Sequence, residues 1–576
     1  MNDSNPEPSE SWWESAVVYQ VYLRSFCDSD GDGLGDLAGL ISKLDYLEEL
    51  GIDVVWVTPF YPSPQRDNGY DISDYEGVDP VFGTMTDVER LIDELHRRDM
   101  KLILDVVLNH SSDEHPWFLE SRRGRDSARR DWYWWRPPRE GATPGAPGAE
   151  PTNWISFFSE SAWTFDEATT EYYLHLFSAH QPDLNWENPE VRRALYEVLR
   201  GWLERGVDGF RLDVINMVSK RLPLEDGTPM GFGHYGDGFD SFVSGPRIHE
   251  FIHELHTEVL SGGRPIPLTV GEMPGVTTHD AVLFTDPGRA ELDMVFQFEH
   301  MGIDHGPGGR FDVRPARLTD LKTSLARWQA ALAETGWNSL YWNNHDQPRV
   351  VSRFGSDLPQ NRERSAKGLA TVLHLHRGTP YIYQGEELGM TNCPFASIDE
   401  FRDIETLNYY LFALEMGRDP DTLLAALQHS SRDNARTPMQ WDDGPMAGFT
   451  TGEPWLPVNP NHIDINAANQ RDDSDSVFQH YRRLIALRHE LAVVRRGDFT
   501  MILPEHEQIY AFTRRLGDEE LLVVANLSSE DAKAVLPDPD LWSDARIILG
   551  THHEPQVVQS PATVRPWEAT VYQRAG

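Results

Sequence analysis

Three acidic side chains stand at the ends of short apolar runs. Asp213 closes Val207-Asp208-Gly209-Phe210-Arg211-Leu212-Asp213, Glu272 closes Pro267-Leu268-Thr269-Val270-Gly271-Glu272, and Asp346 ends Trp342-Asn343-Asn344-His345-Asp346. Runs of this kind read as buried strands. In an α/β barrel the strand ends converge on one mouth, so carboxylates far apart in sequence meet in one pocket. Several carboxylates in one pocket suit the cleavage of a glycosidic bond.

The elements that must position them can be counted. Eight candidate buried strands are Val17–Tyr22, Val54–Thr58, Lys101–Val107, Asp208–Asp213, Leu268–Gly271, Asp293–Phe298, Asn338–Trp342 and Pro380–Tyr383. Amphipathic helices lie between most of them. In Asp87–Arg98, Val88, Leu91, Ile92 and Leu95 recur at helical spacing. Eightfold strand–helix alternation predicts a (β/α)₈ barrel of the α/β class. The gap between the third and fourth strands is long, and its centre, Arg122–Thr152, is rich in Arg, Trp, Pro and Gly. We expect residues 112–181 to form a small inserted domain over the mouth. A second irregular stretch, Asn392–Thr451, follows the eighth strand. After a helical segment, Val477–Glu490, the pattern changes to short strands: Phe499–Leu503, Ile509–Arg514, Leu521–Asn526 and Ala569–Gln573. The expected organisation is a barrel from 1–111 and 182–496, the insert, and an antiparallel β-sandwich domain from 497–576.

The chain has 576 residues, too many for one compact core. Its 18 Trp and 19 Tyr fit a sugar site, because sugar rings pack flat C–H faces on aromatics, although large cores also use such residues. The net charge of −41 excludes nucleic acids and anionic membranes as natural partners, since phosphates would be repelled. Only Lys43, Lys101, Lys220, Lys322, Lys367 and Lys533 are lysines among 51 basic residues. An acidic, lysine-poor surface suits a high-salt cytoplasm; a GC-rich genome also exchanges Lys for Arg. Cys27 and Cys393 lack metal-type spacing and imply no disulfide framework. Met1–Ser11 has neither the basic start nor the apolar stretch of a signal peptide, and no apolar run approaches the roughly 18 residues that span a bilayer. A cytoplasmic monomer or weak homo-oligomer is expected. Asn526-Leu527-Ser528 matches a glycosylation sequon, a match frequent by chance.

Four separated motifs stand in order: Asp105-Val106-Val107-Leu108-Asn109-His110, Gly209–Asn216, Gly271-Glu272 and Asn344-His345-Asp346. Over about 12–576 the chain resembles the α-amylase superfamily of glycoside hydrolases (family 13). Gln181-Pro182-Asp183-Leu184-Asn185 and Ser431-Arg432-Asp433-Asn434-Ala435-Arg436-Thr437-Pro438-Met439-Gln440-Trp441 make it most similar to the oligo-1,6-glucosidase and α-glucosidase branch.

The resemblance implies a retaining double displacement. Asp213 would be the nucleophile, kept ionised by Arg211 two residues earlier on the same strand face. Glu272 would be the general acid and then the base, and would begin protonated. Asp346 would hold sugar hydroxyls and stabilise the oxocarbenium-like state. His110 and His345 would bind hydroxyls around the reacting sugar, because neutral imidazole both donates and accepts. Asp67, in Asp67-Asn68-Gly69-Tyr70-Asp71, would pair with Arg436 and clamp the terminal hydroxyls of a non-reducing glucose. Tyr70 would stack under that ring, with Phe158, Phe177 and Gln181 along the wall. Val214 goes with α-1,6 preference in the family, where Ala or Thr goes with α-1,4. Sucrose isomerases of this branch carry an Arg-rich loop; the matching stretch, His300–Arg314, holds Gly-Pro-Gly-Gly, which favours hydrolysis.

Asp28-Ser29-Asp30-Gly31-Asp32-Gly33-Leu34-Gly35-Asp36 alternates carboxylates with glycines, as a loop around a hard cation does. An EF-hand would need Glu at its twelfth position, where Gly39 stands. The resemblance implies a structural calcium, with magnesium as a substitute, on Asp28, Asp30, Asp32, the Leu34 carbonyl and Asp36. Within the same class, trehalose-6-phosphate hydrolase and dextran glucosidase share nearly all these motifs. Amino-acid transporter heavy chains, a non-catalytic class, resemble the branch too, but carry a transmembrane helix and often lose the acids.

Overall fold

The computed structural model describes residues 11–230, 234–262, 266–552, 554 and 561–575. Most of the N-terminal stretch read for a signal peptide lies outside these residues. The central sheet has eight parallel strands: β1 (Val18–Val21), β2 (Val54–Val57), β3 (Lys101–Val107), β4 (Gly209–Asp213), β5 (Leu268–Glu272), β6 (Met294–Phe296), β7 (Ser339–Leu340) and β8 (Thr379–Tyr383). Their order is β6-β5-β4-β3-β2-β1-β8-β7. A parallel bridge between Val295 and Asn338 joins the two ends, and the Ser339 hydroxyl donates to the Val295 carbonyl at 2.6 Å. The sheet is thus a closed (β/α)₈ barrel, with all eight strands where the apolar runs place them.

Side chains of a strand alternate between faces, so residues two apart share one side. Val18, Val54, Trp56, Ile103, Leu268, Val270, Met294, Phe296 and Tyr381 pack into one apolar cluster. Two residues beyond members of this cluster come Gln20, Asp105 and Glu272, all buried. An apolar plug therefore closes the barrel beneath a polar layer at the C-terminal strand ends. At the other end, carboxylates fix neighbouring strands. Asp53 accepts from Val17 N (2.7 Å), Asp208 from Leu102 N (2.9 Å) and Asp293 from Thr269 N (2.7 Å).

Helices follow each strand. Met85–His96 opens with a capping box between Thr84 and Asp87, and buries Val88, Leu91, Ile92 and Leu95. Between β3 and β4, Trp135–Arg136, Trp163–Asp166 and Glu171–Leu174 form a three-stranded sheet. The stretch after β8, expected to be irregular, contains helices Ile404–Glu415 and Pro420–Ser430. Ile404–Glu415 buries only Thr406 and Ala413, so its pattern lacks the wide apolar stripe that announces a helix.

The C-terminal region has a five-stranded antiparallel sheet of Asp498–Ile502, Ile509–Leu516, Glu519–Asn526, Ala569–Ala575 and Arg546–Gly550, in that order, and a two-stranded sheet of Ala532–Ala534 and Ala562–Val564. The latter two strands and Arg546–Gly550 were not apparent in the sequence. Asn526 is fully buried and its amide donates to three backbone carbonyls. The sequon is therefore structural. Lys322, on helix Leu318–Ala331, fastens this region to the barrel. Its ammonium donates to the carbonyls of Leu503 (2.8 Å), His506 (2.5 Å) and Ile509 (3.1 Å). Replacing Lys322 by Met leaves these carbonyls without a donor. We expect a loss of about 1–3 kcal/mol, read as a lower thermal midpoint; an unchanged midpoint would show that water replaces the ammonium.

Candidate active site

Asp213 ends β4, Glu272 ends β5, and Asp346 follows β7. All three line one cavity of about 160 Å³. Typical ligand clefts measure about 300–1,000 Å³, so this one is sized for a single small unit. Asp67, Tyr70, His110, Phe158, Phe177, Gln181 and Val214 also line it. Arg211, His345 and Arg436 stand behind the wall, each essentially without solvent exposure.

Arg211 organises the acids. Its Nη1 lies 2.7 Å from Asp105 Oδ1 and 2.6 Å from Asp213 Oδ1, and its Nη2 lies 2.7 Å from Glu272 Oε2. Asp105 also accepts from Tyr70 Oη (2.9 Å) and Trp56 Nε1 (3.2 Å). One positive charge thus faces three carboxylates in a water-poor site. Burial pushes Asp213 well above the ordinary carboxylate range; Arg211 opposes this, while Glu272 and Asp105 add to it. The expectation that Arg211 holds Asp213 low is not met, because one guanidinium cannot offset burial and two neighbouring carboxylates. Asp105 heads the first sequence motif, which was its only signal.

Val214 adopts left-handed backbone angles (φ 35°, ψ 39°), rare for a β-branched residue. This strained turn aims its N–H at Glu272 Oε2, 3.2 Å away, and places its side chain on the wall.

Asp346 behaves differently. Burial opposes its ionisation, but His345, Arg432, Arg436 and Arg310 together hold it well below the usual range. Arg436 Nη2 lies 2.6 Å and Arg432 Nη1 3.3 Å from its Oδ1.

Asp67 pairs with Arg432, not Arg436. Arg432 Nη2 lies 3.2 Å from Asp67 Oδ1 and 2.5 Å from Asp403 Oδ1. Arg436 instead binds Asp346 and the His345 carbonyl. Arg432 caps the start of the short helix Asp433–Arg436 and Arg436 ends it, and residues four apart share a face, so spacing alone does not say which one reaches Asp67. Burial pushes Asp67 up to about 6, against Arg432 and Arg436. Gln181 ties the clamp to the wall, with Nε2 3.1 Å from Asp67 Oδ2 and 3.1 Å from His110 Nε2.

His345 does not reach the cavity. Gln20 Nε2 lies 2.8 Å from its Nδ1, and Tyr70 Oη lies 2.7 Å from its Nε2. Its ring stacks on Tyr70 at 5.2 Å between centroids. It is a positioning residue, and one face of Tyr70 is already covered. Behind His110, Lys220 bonds Asp183 (2.6 Å), Asn109 (3.0 Å) and the Met217 carbonyl (2.8 Å). Asp183 of Gln-Pro-Asp-Leu-Asn thus supports the wall. Arg310 and Glu405 also line the cavity and pair at 2.9 Å. Arg310 lies in the stretch noted only for its glycines, and Glu405 stands in the unassigned stretch after β8.

The acidic loop brings carboxylate oxygens of Asp28, Asp30 and Asp36 within 4.8 Å of one another. Asp32 is outside this group. Its carboxylate accepts from Leu34 N at 2.8 Å. Gly33 (φ +93°) is required, because a Cβ there would lie 1.9 Å from the Glu453 carbonyl. Oxygen donors in a glycine-turned loop fit a hard cation.

A barrel whose mouth gathers three acids around a cavity this small is the scaffold of a carbohydrate-cleaving enzyme. The model for "Alpha amylase, catalytic domain" matches residues 20–497, and that for "Alpha-amylase SusG C-terminal domain" matches 509–571. An oligo-1,6-glucosidase of Parageobacillus thermoglucosidasius is 53% identical over 563 residues, covering 97% of this chain and 98% of its own. The structure of Bacillus licheniformis trehalose-6-phosphate hydrolase is 44% identical with a TM-score of 0.91. That of an isomaltulose synthase from Klebsiella sp. LX3 is 40% identical with a TM-score of 0.93. Each structure covers 98% of this chain and 100% of its own. The chain belongs to the α-amylase family and is a glycoside hydrolase. Among the described residues no helix is long and apolar enough to cross a membrane.

Burial lowers His345 to about 3, below the roughly 6.5 of free imidazole. The stability this contributes is present above pH about 6.5 and is lost as pH falls towards 3. Measured by denaturant unfolding at pH 7 and 5.5, the advantage of wild type over His345→Gln should shrink by about 1.4 kcal/mol per pH unit below about 6.5. Parallel pH profiles would show that His345 titrates normally.

Proposed function

We propose that the enzyme is an exo-acting, retaining α-glucosidase that removes terminal non-reducing glucose from short α-glucosides such as isomaltose, isomalto-oligosaccharides and maltose. The observation that carries this is the cavity of about 160 Å³, closed at one side by the Asp67–Arg432 contact. A closed end admits one terminal sugar and stops the chain there. Asp213 attacks the anomeric carbon, and Glu272 gives its proton to the leaving oxygen. The covalent glucosyl ester is then opened by water, which Glu272 deprotonates. Asp346, held ionised, meets the developing positive charge. Val214 narrows the leaving-sugar side, in keeping with the α-1,6 specificity in the name of the Parageobacillus relative.

Trehalose 6-phosphate is the second substrate to consider, because a relative of that name shares the fold. A phosphate needs an available cation. Arg310 and Arg432, the cationic side chains on the cavity wall, are both paired with carboxylates. We therefore place the neutral glucosides first. Isomaltotriose should yield glucose as the first product, released as the α-anomer by NMR, and Asp213→Asn should lose at least about 10³-fold in rate. Faster turnover of trehalose 6-phosphate than of isomaltose, maltose or sucrose would reverse the order of substrates.

We assign a structural calcium, or magnesium in its place, to Asp28, Asp30 and Asp36, in a cytoplasmic enzyme. Chelation should lower the thermal midpoint, and calcium at about 100 times its dissociation constant should restore about 2.7 kcal/mol. An unchanged midpoint would remove the cation.

A further inference from the structure

Gln347 follows Asp346, is 8% exposed, and lines the cavity. Its Oε1 accepts from Arg353 Nη1 at 2.7 Å. Arg353 is itself fixed. Its Nε and Nη2 lie 2.8 and 2.6 Å from the two carboxylate oxygens of Asp304, and Nη2 also donates to the Met301 carbonyl. A guanidinium only donates, so the amide oxygen must face Arg353 and the amide nitrogen must face away. Among the described residues, that nitrogen has no protein acceptor. A donor locked in one orientation on a cavity wall, without a partner, is a group waiting for a ligand oxygen.

The barrel says which part of the ligand it meets. The Asp67–Arg432 clamp closes the side that follows β2 and the stretch after β8. Glu272, which must protonate the leaving oxygen, ends β5. Met301 and Asp304 follow β6, the strand beside β5, with Glu272 opposite Phe296 in register. The anchor of Gln347 therefore stands on the same side of the mouth as Glu272, where the leaving oxygen is protonated. We propose that Gln347 Nε2 donates a hydrogen bond to a hydroxyl of the sugar beyond the scissile bond, and that Asp304 and Arg353 hold it in place. Gln347 thereby distinguishes a sugar leaving group from one without hydroxyls. This role presupposes the glucosidase function proposed above.

The test compares an aryl α-glucoside, whose leaving group carries no sugar hydroxyls, with the disaccharide that wild type cleaves best. Gln347→Met removes the donor and approximates the shape. Gln347→Glu also removes the donor but keeps an oxygen for Arg353, so it guards against a packing effect. Both variants should lose about 3- to 10-fold in kcat/KM on the disaccharide, with the aryl substrate within twofold of wild type. Equal losses on both substrates, or full disaccharide activity in Gln347→Glu, would overturn the assignment. A wild type that cleaves neither substrate would sink the glucosidase function, and this role with it. A wild type that cleaves only the aryl glucoside would overturn Gln347's role while leaving the catalytic acids in place.

Discussion

The buried guanidinium of Arg211 is the interaction on which the site depends. It touches Asp105, Asp213 and Glu272 at once. Three carboxylates in a low-dielectric pocket repel one another strongly, and without a central cation they would not stay together. One cation is still insufficient to offset burial and two neighbouring carboxylates, so Asp213 is pushed up. A double displacement needs one carboxylate free to attack and another able to give a proton. Arg211 holds the candidate for each role, Asp213 and Glu272, in a single arrangement. The apolar plug of Trp56, Val270 and Phe296 below keeps water from weakening it.

A second cationic centre acts at the closed side. Arg432 joins Asp67, after β2, to Asp346, after β7, and to Asp403, in the long stretch after β8. Ile404–Glu415 begins one residue later, and Asn408 on it reaches Glu160 in the insert at 2.7 Å. Elements far apart in sequence are thereby held around one sugar-sized volume. The two centres treat their acids oppositely. Asp346 has several cations and stays ionised, whereas Asp213 shares one and is pushed up.

Much of this was legible in the sequence, for a definite reason. Strands buried on both faces leave continuous apolar runs, and a carboxylate at the end of such a run has few places to be except the mouth. Asp213, Glu272 and Asp346 could be named on that basis, as could Asp67, Gln181 and His110 from the motifs around them. Failures came where orientation decides. Arg432 and Arg436 lie one helical turn apart, and only three-dimensional packing selects the partner of Asp67. His345 sits beside Asp346 yet points back towards Gln20 and Tyr70. Arg310, Asp403 and Glu405 come from segments without an apolar period, so nothing local set them apart from surface charge.

The few lysines have a consequence for handling the molecule. Lys220, Lys322 and Lys367 are each 1% exposed; the first two hold internal oxygens and Lys367 pairs with Glu363. Lys43 and Lys101 lie over the rings of Trp441 and Trp12. Lys533 is the most exposed of the six. Among the lysines, reagents that acylate or cross-link amines would find Lys533 the most open, in the C-terminal sheets and far along the chain from the barrel mouth. Tethering to a support through lysine would favour that position over attachment points scattered across the barrel.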